Sequence, residues 1–286
     1  MANSTGHHRQ NESQEIKTMQ LYSEVDRIYN DLEEMGYARA DQLNVEDVSK
    51  FDHYHYYGTD AIDEAIAKLN ITSESSVLDI GSGLGGTSRY LAHKTGCHVT
   101  AVELQSDLND VARDLTIRCG LAPRVRHICA NILDDQHLNL GQFDFVVSWL
   151  VYLHIDDKDK LFATCYKHLK PAGKMYIEDL FSLAELSPNE MELLRNAISC
   201  RMLPSGDVYR ETLKKAGLEV VEWSDVTASW THHCHERVGL HKANKEKYVR
   251  THTLTSYAAL DHFYNAVDKL FSGGNVGGCK IVATKV

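Results

Sequence analysis

The sequence lacks the features of a disulfide-stabilised protein. Its seven cysteines are scattered, odd in number and include no C-x-x-C pair. Disulfide frameworks and structural zinc sites both use cysteines at short, regular spacings. We therefore expect free thiols, a reducing compartment, a cytoplasmic location and no bound metal.

Long apolar segments are also missing. The longest apolar run, residues 143–155, is too short to cross a bilayer and contains a serine and a histidine. Residues 1–15 are polar and lack the apolar core of a secretory signal. We expect no membrane span and a disordered tail over residues 1–15.

Positive charge is scarce, because 30 lysines and arginines stand against 40 aspartates and glutamates, a formal net charge of −10. Binding to a nucleic-acid backbone needs clustered lysines and arginines, so we expect no nucleic-acid partner. A small cationic or zwitterionic substrate is compatible with this charge. We expect the chain to act on a small molecule as a monomer or homodimer.

From residue 76 onwards, short apolar runs alternate with longer amphipathic stretches, a pattern typical of βαβ units and a parallel sheet. Right-handed crossovers then place helices on both faces of the sheet. Residues 16–70 have the periodicity of an N-terminal helical cap, residues 71–180 form the expected core, and residues 181–286 supply further helices and the last strands. The predicted strands cover residues 77–80, 98–104, 124–130, 143–150, 174–180, 218–226 and 277–286.

The strongest motif is the glycine-rich segment VLDIGSGLGG at residues 77–86. It follows a buried strand and opens a helix, and Glu103 ends the next strand about twenty residues later, where nucleotide-binding folds grip ribose hydroxyls. The glycine spacing departs from G-x-G-x-x-G, and Asp79 precedes the loop. A carboxylate there suits a cationic ligand better than a pyrophosphate, which favours S-adenosylmethionine, with its ammonium and sulfonium groups.

Residues 76–180 resemble the class I S-adenosylmethionine-dependent methyltransferases, on the segments VLDIGSGLGGTSRYLAHKTGCHVTAVEL, GLAPRVRHICANIL, FDFVVSWLVYLHI and LKPAGKMYIED. Within that class they are most similar to glycine/sarcosine/dimethylglycine N-methyltransferases and phosphoethanolamine methyltransferases. The resemblance implies an α/β, Rossmann-like, seven-stranded, mostly parallel sheet with a helical insertion before the last strand. It also implies a cofactor site for S-adenosyl-L-methionine built from Asp79, Gly81, Ser82, Gly83, Glu103, Leu104, Asn131, Ile132 and Trp149.

Two positions depart from the pattern of those relatives. Asn131 stands where an aspartate usually contacts the adenine amino group, and its side-chain oxygen can accept the same hydrogen bond. Leu150 and Val151 stand where the N-methyltransferases tend to carry an aspartate. Methylation of a small amine is therefore the favoured reaction. The alternatives are O- or C-methylation of another small metabolite, such as a sterol-like or aromatic acceptor, and cofactor binding without catalysis.

His154 is the candidate proton acceptor, because it follows the fourth strand at the edge where open α/β sheets bind ligands. Its ordinary pKa permits a neutral imidazole to act as a base. In the phosphoethanolamine enzymes the matching histidine acts with a tyrosine of the cap, which implies Tyr54 or Tyr57 of the aromatic segment at residues 51–58. That segment can also cage a cation or simply anchor the cap.

Four further features complete the candidates. Tyr152 and Trp230 are expected to line the substrate pocket. Arg201 lies where phosphate-binding relatives place an arginine, although a solvated side chain is the simpler interpretation. His232 and His235 have the spacing of residues on one helix face, but no cysteine spacing supports a metal site there.

Overall fold

The computed structural model describes Met19 and residues 24–286, apart from the side chains of residues 135–137. The predicted disordered tail, residues 1–15, lies outside the described residues. In the described part, seven strands form one sheet, and the predicted α/β fold is confirmed. The strands are β1 (Ser76–Ile80), β2 (His98–Glu103), β3 (Val125–Cys129), β4 (Phe143–Trp149), β5 (Leu169–Ser182), β6 (Leu218–Asp225) and β7 (Val276–Lys285).

The strand order is β3-β2-β1-β4-β5-β7-β6. Strands β1 to β5 pair in parallel, and β7 runs antiparallel to both β5 and β6. The chain proceeds outwards from β1 in one direction to β3 and then returns to start β4 on the other side. Ligands of open α/β sheets bind beyond the carboxyl ends of the strands at such a reversal, so β1 and β4 mark the place to look for a site.

Helices cover both faces of this sheet, as predicted. Successive side chains of a strand point to opposite faces, so Val77 packs on one side and Leu78 on the other. The helices are α1 (Arg27–Glu34), α2 (Val45–Val48), α3 (Gly58–Leu69), α4 (Gly86–Thr95), α5 (Ser106–Arg118), α6 (Lys158–His168), α7 (Pro188–Ile198), α8 (Gly206–Lys215), α9 (Thr227–Ala243), α10 (Lys245–Thr251) and α11 (Leu254–Ser272). Two 3₁₀ segments cover Ile132–His137 and Tyr152–His154.

The N-terminal helices and the insertion α9–α11 meet each other. Ile28 and Leu32 of α1 pack against Leu115 of α5 and Leu84 of the glycine loop, so the N-terminal helices rest on the predicted cofactor site. His252, directly after α10, lies 3.0 Å from Asp31 through its Nε2 atom. No helix in residues 24–286 is long and apolar enough to cross a membrane.

Candidate active site

The glycine loop between β1 and α4 requires glycine for its backbone. Gly81, Gly83 and Gly85 have φ angles of +73°, +53° and +74°, which side chains with a Cβ atom rarely adopt. A Cβ atom on Gly81 would lie 2.4 Å from the side chain of Val151, whereas one on Gly83 would meet nothing within 4 Å. The loop therefore packs closely on the residues after β4 and leaves open space above Gly83.

Glu103 closes the loop from the end of β2. Its Oε2 atom accepts a hydrogen bond from the Gly83 N–H and its Oε1 atom one from the Gln105 N–H, both at 2.9 Å. Burial raises the pKa of Glu103, while these backbone donors act in the opposite direction. The carboxylate is thus held beside the loop, where the sequence places it.

Two adjoining cavities open at this edge of the sheet. The space that the centre of a water molecule can reach is about 100 Å³ in the outer cavity and about 60 Å³ in the inner cavity. They share Gly81, Gly83 and Val151 in their walls. The structure brings together all nine residues predicted to bind the cofactor, with Glu103, Leu104, Asn131 and Ile132 lining the outer cavity, Asp79, Ser82 and Trp149 the inner one, and Gly81 and Gly83 both.

Asp79 lies at the base of the inner cavity and is 1% exposed. Its Oδ2 atom accepts hydrogen bonds from the hydroxyls of Thr87 at 2.7 Å and Ser88 at 2.6 Å. Burial raises the pKa of Asp79 to about 6, against the influence of both hydroxyls. The carboxyl group is therefore ionised at neutral pH and able to attract a cation.

His154 lines the outer cavity at the end of the 3₁₀ segment that follows β4. Its Nδ1 atom lies 3.3 Å from the carbonyl oxygen of Ser199. Because a carbonyl only accepts hydrogen bonds, Nδ1 carries the proton and Nε2 is the ring nitrogen with the lone pair. Burial lowers the pKa of His154 to about 4, so the imidazole is neutral near pH 7 and is a weaker base than a solvated imidazole.

The aromatic segment at residues 51–58 divides between the site and the surface. Tyr54 lines the inner cavity beside His53 and His55. Tyr57 lines neither cavity, is 37% exposed and donates a hydrogen bond to the carbonyl oxygen of Ser229 at 2.8 Å. The structure therefore does not bring the predicted Tyr57 to the site, because its φ of +60° turns the chain outwards into α3.

Sequence reasoning missed Asp52 and His53, which also line the inner cavity. Asp52 accepts a hydrogen bond from Arg89 of α4 at 2.7 Å, and both side chains are 1% exposed. A Cβ atom on Gly86 would lie 2.8 Å from Asp52, so the segment sits tightly on the start of α4. An acid and two histidines among aromatic residues were the available signal, but an irregular loop gives no periodicity to show which side chains face inwards.

Two residues expected to line the substrate pocket belong to the protein interior instead. Tyr152 and Trp230 are both fully buried, and neither lines the outer or the inner cavity. Tyr152 packs edge-on against Phe162 of α6, and Trp230 packs edge-on against Tyr56. Both side chains pack in the protein core. The sequence pattern does not distinguish a large aromatic residue of the core from one that contacts a ligand.

The remaining polar candidates are engaged elsewhere. Arg201 forms an ion pair with Asp156 at 3.2 Å. His232 lies 3.3 Å from Glu236 and His235 lies 3.5 Å from Asp268, so the two histidines face different carboxylates. Over the part of the chain that the structure describes, no group of three or more histidine, cysteine, aspartate or glutamate side chains is arranged to hold a metal ion.

The family model described as "Methyltransferase domain" matches residues 51–223, well over half of the chain. The chain belongs to this methyltransferase family. The predicted family, the S-adenosylmethionine-dependent methyltransferase activity and the cofactor are thereby confirmed. The matched residues include the aromatic segment, the glycine loop, Glu103 and His154, so both cavities lie within the family's domain.

Two curated relatives of this methyltransferase have names that specify an amine substrate. It is 28% identical over 204 residues to a sarcosine/dimethylglycine N-methyltransferase of Halorhodospira halochloris, covering 71% of this chain and 72% of the relative. It is 29% identical over 232 residues to phosphoethanolamine N-methyltransferase 1 of Zea mays, covering 80% of this chain. The alignment spans only 45% of the maize relative, so most of that protein has no counterpart in this alignment.

Solved structures share the fold. Phosphoethanolamine N-methyltransferase 2 of Haemonchus contortus, bound to phosphomonomethylethanolamine and S-adenosylhomocysteine, superposes with a TM-score of 0.74 at 23% identity, covering 82% of this chain and 54% of the other. The cyclopropane synthase MmaA2 of Mycobacterium tuberculosis superposes with a TM-score of 0.75 at 16% identity, covering 96% and 98% of the two chains. At these identities the comparison shows the fold alone.

The residues of this methyltransferase fit S-adenosylmethionine. The open space above Gly83, where a Cβ atom would meet nothing within 4 Å, forms part of a cradle beside the Glu103 carboxylate. Asp79 offers an anion for the ammonium group, and the Ser82 hydroxyl has no hydrogen-bond partner among the described residues. The first N–H groups of α4 lack partners within the helix and suit a carboxylate.

Proposed function

We propose that the chain transfers a methyl group from S-adenosylmethionine to the nitrogen of a small amine. The observation that carries the proposal is the junction of the two cavities at Gly81, Gly83 and Val151. The outer cavity would hold the nucleoside of the cofactor, and an acceptor would then contact residues 52–55 of the inner cavity beyond the junction. The names of the curated relatives specify amine substrates, which supports nitrogen as the methylated atom.

The proposed roles follow from chemistry and position. Glu103 accepts hydrogen bonds from the ribose, Asn131 and Ile132 bind the adenine, and Asp79 attracts the ammonium end. When bound, S-adenosylmethionine supplies an activated methyl group, so the protein's task is to align the acceptor and exclude water. The cavity walls supply this exclusion, because Trp149 and Leu84 are buried against the sheet and the N-terminal helices.

An ammonium group becomes a nucleophile only after it loses a proton. We propose that the Nε2 atom of His154, which lines the outer cavity, accepts this proton through water at the junction of the two cavities, because Nδ1 carries the ring's own proton. Tyr54 is not proposed as a base, because burial raises the pKa of its phenol and its hydroxyl is hydrogen-bonded with Arg27. Tyr57 has no part in the proposed reaction.

We further propose that the protein works in the cytoplasm, as a monomer or homodimer, on a dissolved substrate and without nucleic acid. The support is chemical: all seven cysteines are free thiols, which is typical of a reducing compartment, and the net charge is negative.

Methyl transfer from labelled S-adenosylmethionine into a panel of small amines tests the proposed function, with mass spectrometry locating the methyl group. Label on nitrogen supports it. Label on an oxygen or carbon atom of another metabolite contradicts it in favour of O- or C-methylation, and tight cofactor binding with no transfer to any acceptor favours a binding protein.

A further inference from the structure

Residues that line the inner cavity carry six buried polar side-chain atoms without a hydrogen-bond partner among the described residues: Oδ1 of Asp52, Nδ1 and Nε2 of His53, Nε2 of His55, Oγ of Ser82 and Nε1 of Trp149. Buried polar atoms are nearly always paired, so this group of unpaired atoms around one cavity indicates a polar ligand. Of these, the Nε2 atom of His55 and the Nε1 atom of Trp149 belong to residues that are 7% and 6% exposed.

The chemistry of these two atoms is complementary. The Nδ1 atom of His55 lies 3.0 Å from the carbonyl oxygen of Tyr56, so Nδ1 carries the proton and Nε2 is an acceptor. The Nε1 atom of Trp149 can only donate. The two rings lie 5.7 Å apart between centroids, close enough for one small ligand to contact both. A hydroxyl group both donates and accepts, and it therefore matches the pair.

The charges of the cavity walls disfavour an acceptor that carries a phosphate or carboxylate group. Among the described residues that line the two cavities there are three carboxylates, Asp52, Asp79 and Glu103, and no lysine or arginine. Arg89 forms an ion pair with Asp52 and does not itself line the cavity. A phosphate or carboxylate buried without a cationic partner loses its hydration with little in return.

The histidines do not supply the missing positive charge. Burial lowers the pKa of His53 and of His55 to about 3, and that of His154 to about 4. All three rings are therefore neutral at neutral pH, and His55 remains a hydrogen-bond acceptor throughout the working range.

From this cavity we infer that the acceptor is a small amino alcohol without a phosphate or carboxylate group, and that its hydroxyl donates to His55 and accepts from Trp149. The inference rests on the proposed amine methylation and narrows it. It departs from the phosphorylated and carboxylated amines named for the relatives, whose anionic groups would have no counter-charge in the described walls. The cofactor's own carboxylate is served separately, by Ser82 and the start of α4.

Matched pairs of acceptors test the inference with the unaltered protein. Ethanolamine is compared with phosphoethanolamine, and N,N-dimethylethanolamine with N,N-dimethylglycine, by measuring kcat/KM for methyl transfer from labelled S-adenosylmethionine. We expect the uncharged-oxygen member to be preferred by about 100-fold in each pair, because the other member buries an unpaired anion. Preference for phosphoethanolamine or dimethylglycine would support amine methylation but overturn the inference. Transfer to none of the four, with S-adenosylhomocysteine still bound, would overturn both.

Two variants of His55 test the hydrogen bond itself. His55→Gln can place an oxygen near the position of Nε2, whereas His55→Asn is shorter and keeps only a donor near the Tyr56 carbonyl. We expect His55→Asn to raise the KM of the preferred amino alcohol by about tenfold, the loss of one hydrogen bond, and His55→Gln to raise it much less. Cofactor affinity and melting temperature should match the wild type in both. Equal effects of the two variants, or weakened S-adenosylhomocysteine binding in His55→Asn, would show that His55 does not bind the acceptor.

Discussion

The outer and inner cavities adjoin, but the proposed ligand-binding side chains of the two differ in how fully their hydrogen bonds are formed within the protein. In the outer cavity, Glu103 is fixed by the Gly83 and Gln105 N–H groups, and the Asn131 side chain already accepts a hydrogen bond from the Leu133 N–H at 2.9 Å. In the inner cavity, His55 and Trp149 keep atoms without partners. The side chains proposed to bind the ribose and adenine are thus fixed by backbone hydrogen bonds, whereas the two side chains proposed to bind the acceptor keep unpaired atoms.

A change to Glu103 tests the outer cavity separately from the inner cavity. Glu103→Ala removes the proposed ribose acceptor and also the partner of the Gly83 N–H, so cofactor affinity should fall by about 3 kcal/mol or more, on the order of 100-fold. Glu103→Gln keeps one acceptor oxygen in place and should lose less. Isothermal titration with S-adenosylhomocysteine measures both, and unchanged affinity in the alanine variant would remove Glu103 from the cofactor site.

That residue also shows what the sequence can predict. The glycine loop, Glu103 and Asn131 lie where each strand ends, so strand prediction alone places them at one edge of the sheet. The segment at residues 51–58 has no such register. Tyr54 and Tyr57 are three residues apart in an irregular loop, where the positive φ of Tyr57 and the buried pair of Asp52 and Arg89 are features of the folded chain. Tertiary contacts of this kind leave no periodic trace in a sequence.

A second variant compares cofactor binding with turnover. His154→Ala removes the proposed proton acceptor from the outer cavity without altering the glycine loop. We expect turnover to fall by about 10²–10⁴-fold, the usual contribution of a positioned base, with cofactor affinity nearly intact. Steady-state kinetics and cofactor titration are measured on the same sample. If affinity and activity are lost together, His154 has a structural role and the proton acceptor lies elsewhere.

A buried ion pair joins the wall of the inner cavity to α4. Asp52→Asn leaves Arg89 buried without its counter-charge, which should lower the free energy of unfolding by about 3 kcal/mol. Asp159→Asn is the matched control, because it breaks the exposed pair between Lys215 and Asp159, whose side chains are 68% and 59% exposed, and should change stability little. Urea unfolding compares them, and equal midpoints in the two variants would show that the buried pair does not anchor the segment.

The pH dependence of turnover sharpens the role of His154. Burial lowers its pKa to about 4, so the ring loses its proton as the pH rises through that value. The contribution of His154 to the rate should therefore rise around pH 4 and be constant above about pH 6. A rate profile with saturating cofactor, recorded for wild type and His154→Gln, measures it. An inflection near pH 6.5 that is absent in the variant would mean that the ring is solvated during turnover.

The smallest expected effect concerns the edge of the aromatic segment. Tyr57→Phe removes only the hydrogen bond from an exposed hydroxyl to the Ser229 carbonyl, which should cost about 0.5–1 kcal/mol of stability and change turnover by less than about twofold. Tyr54→Phe alters a residue that lines the inner cavity, and its effect on the acceptor's KM should be larger. The two variants are chemically identical changes three residues apart, so any difference between their effects is due to position rather than chemistry.

A loss of turnover in Tyr57→Phe comparable to that of His154→Ala would mean that the segment rearranges when ligands bind and brings Tyr57 to the reacting groups. Equal and small effects in both variants would instead leave the inner cavity's chemistry to His55 and Trp149, whose unpaired atoms need no tyrosine to bind a hydroxyl.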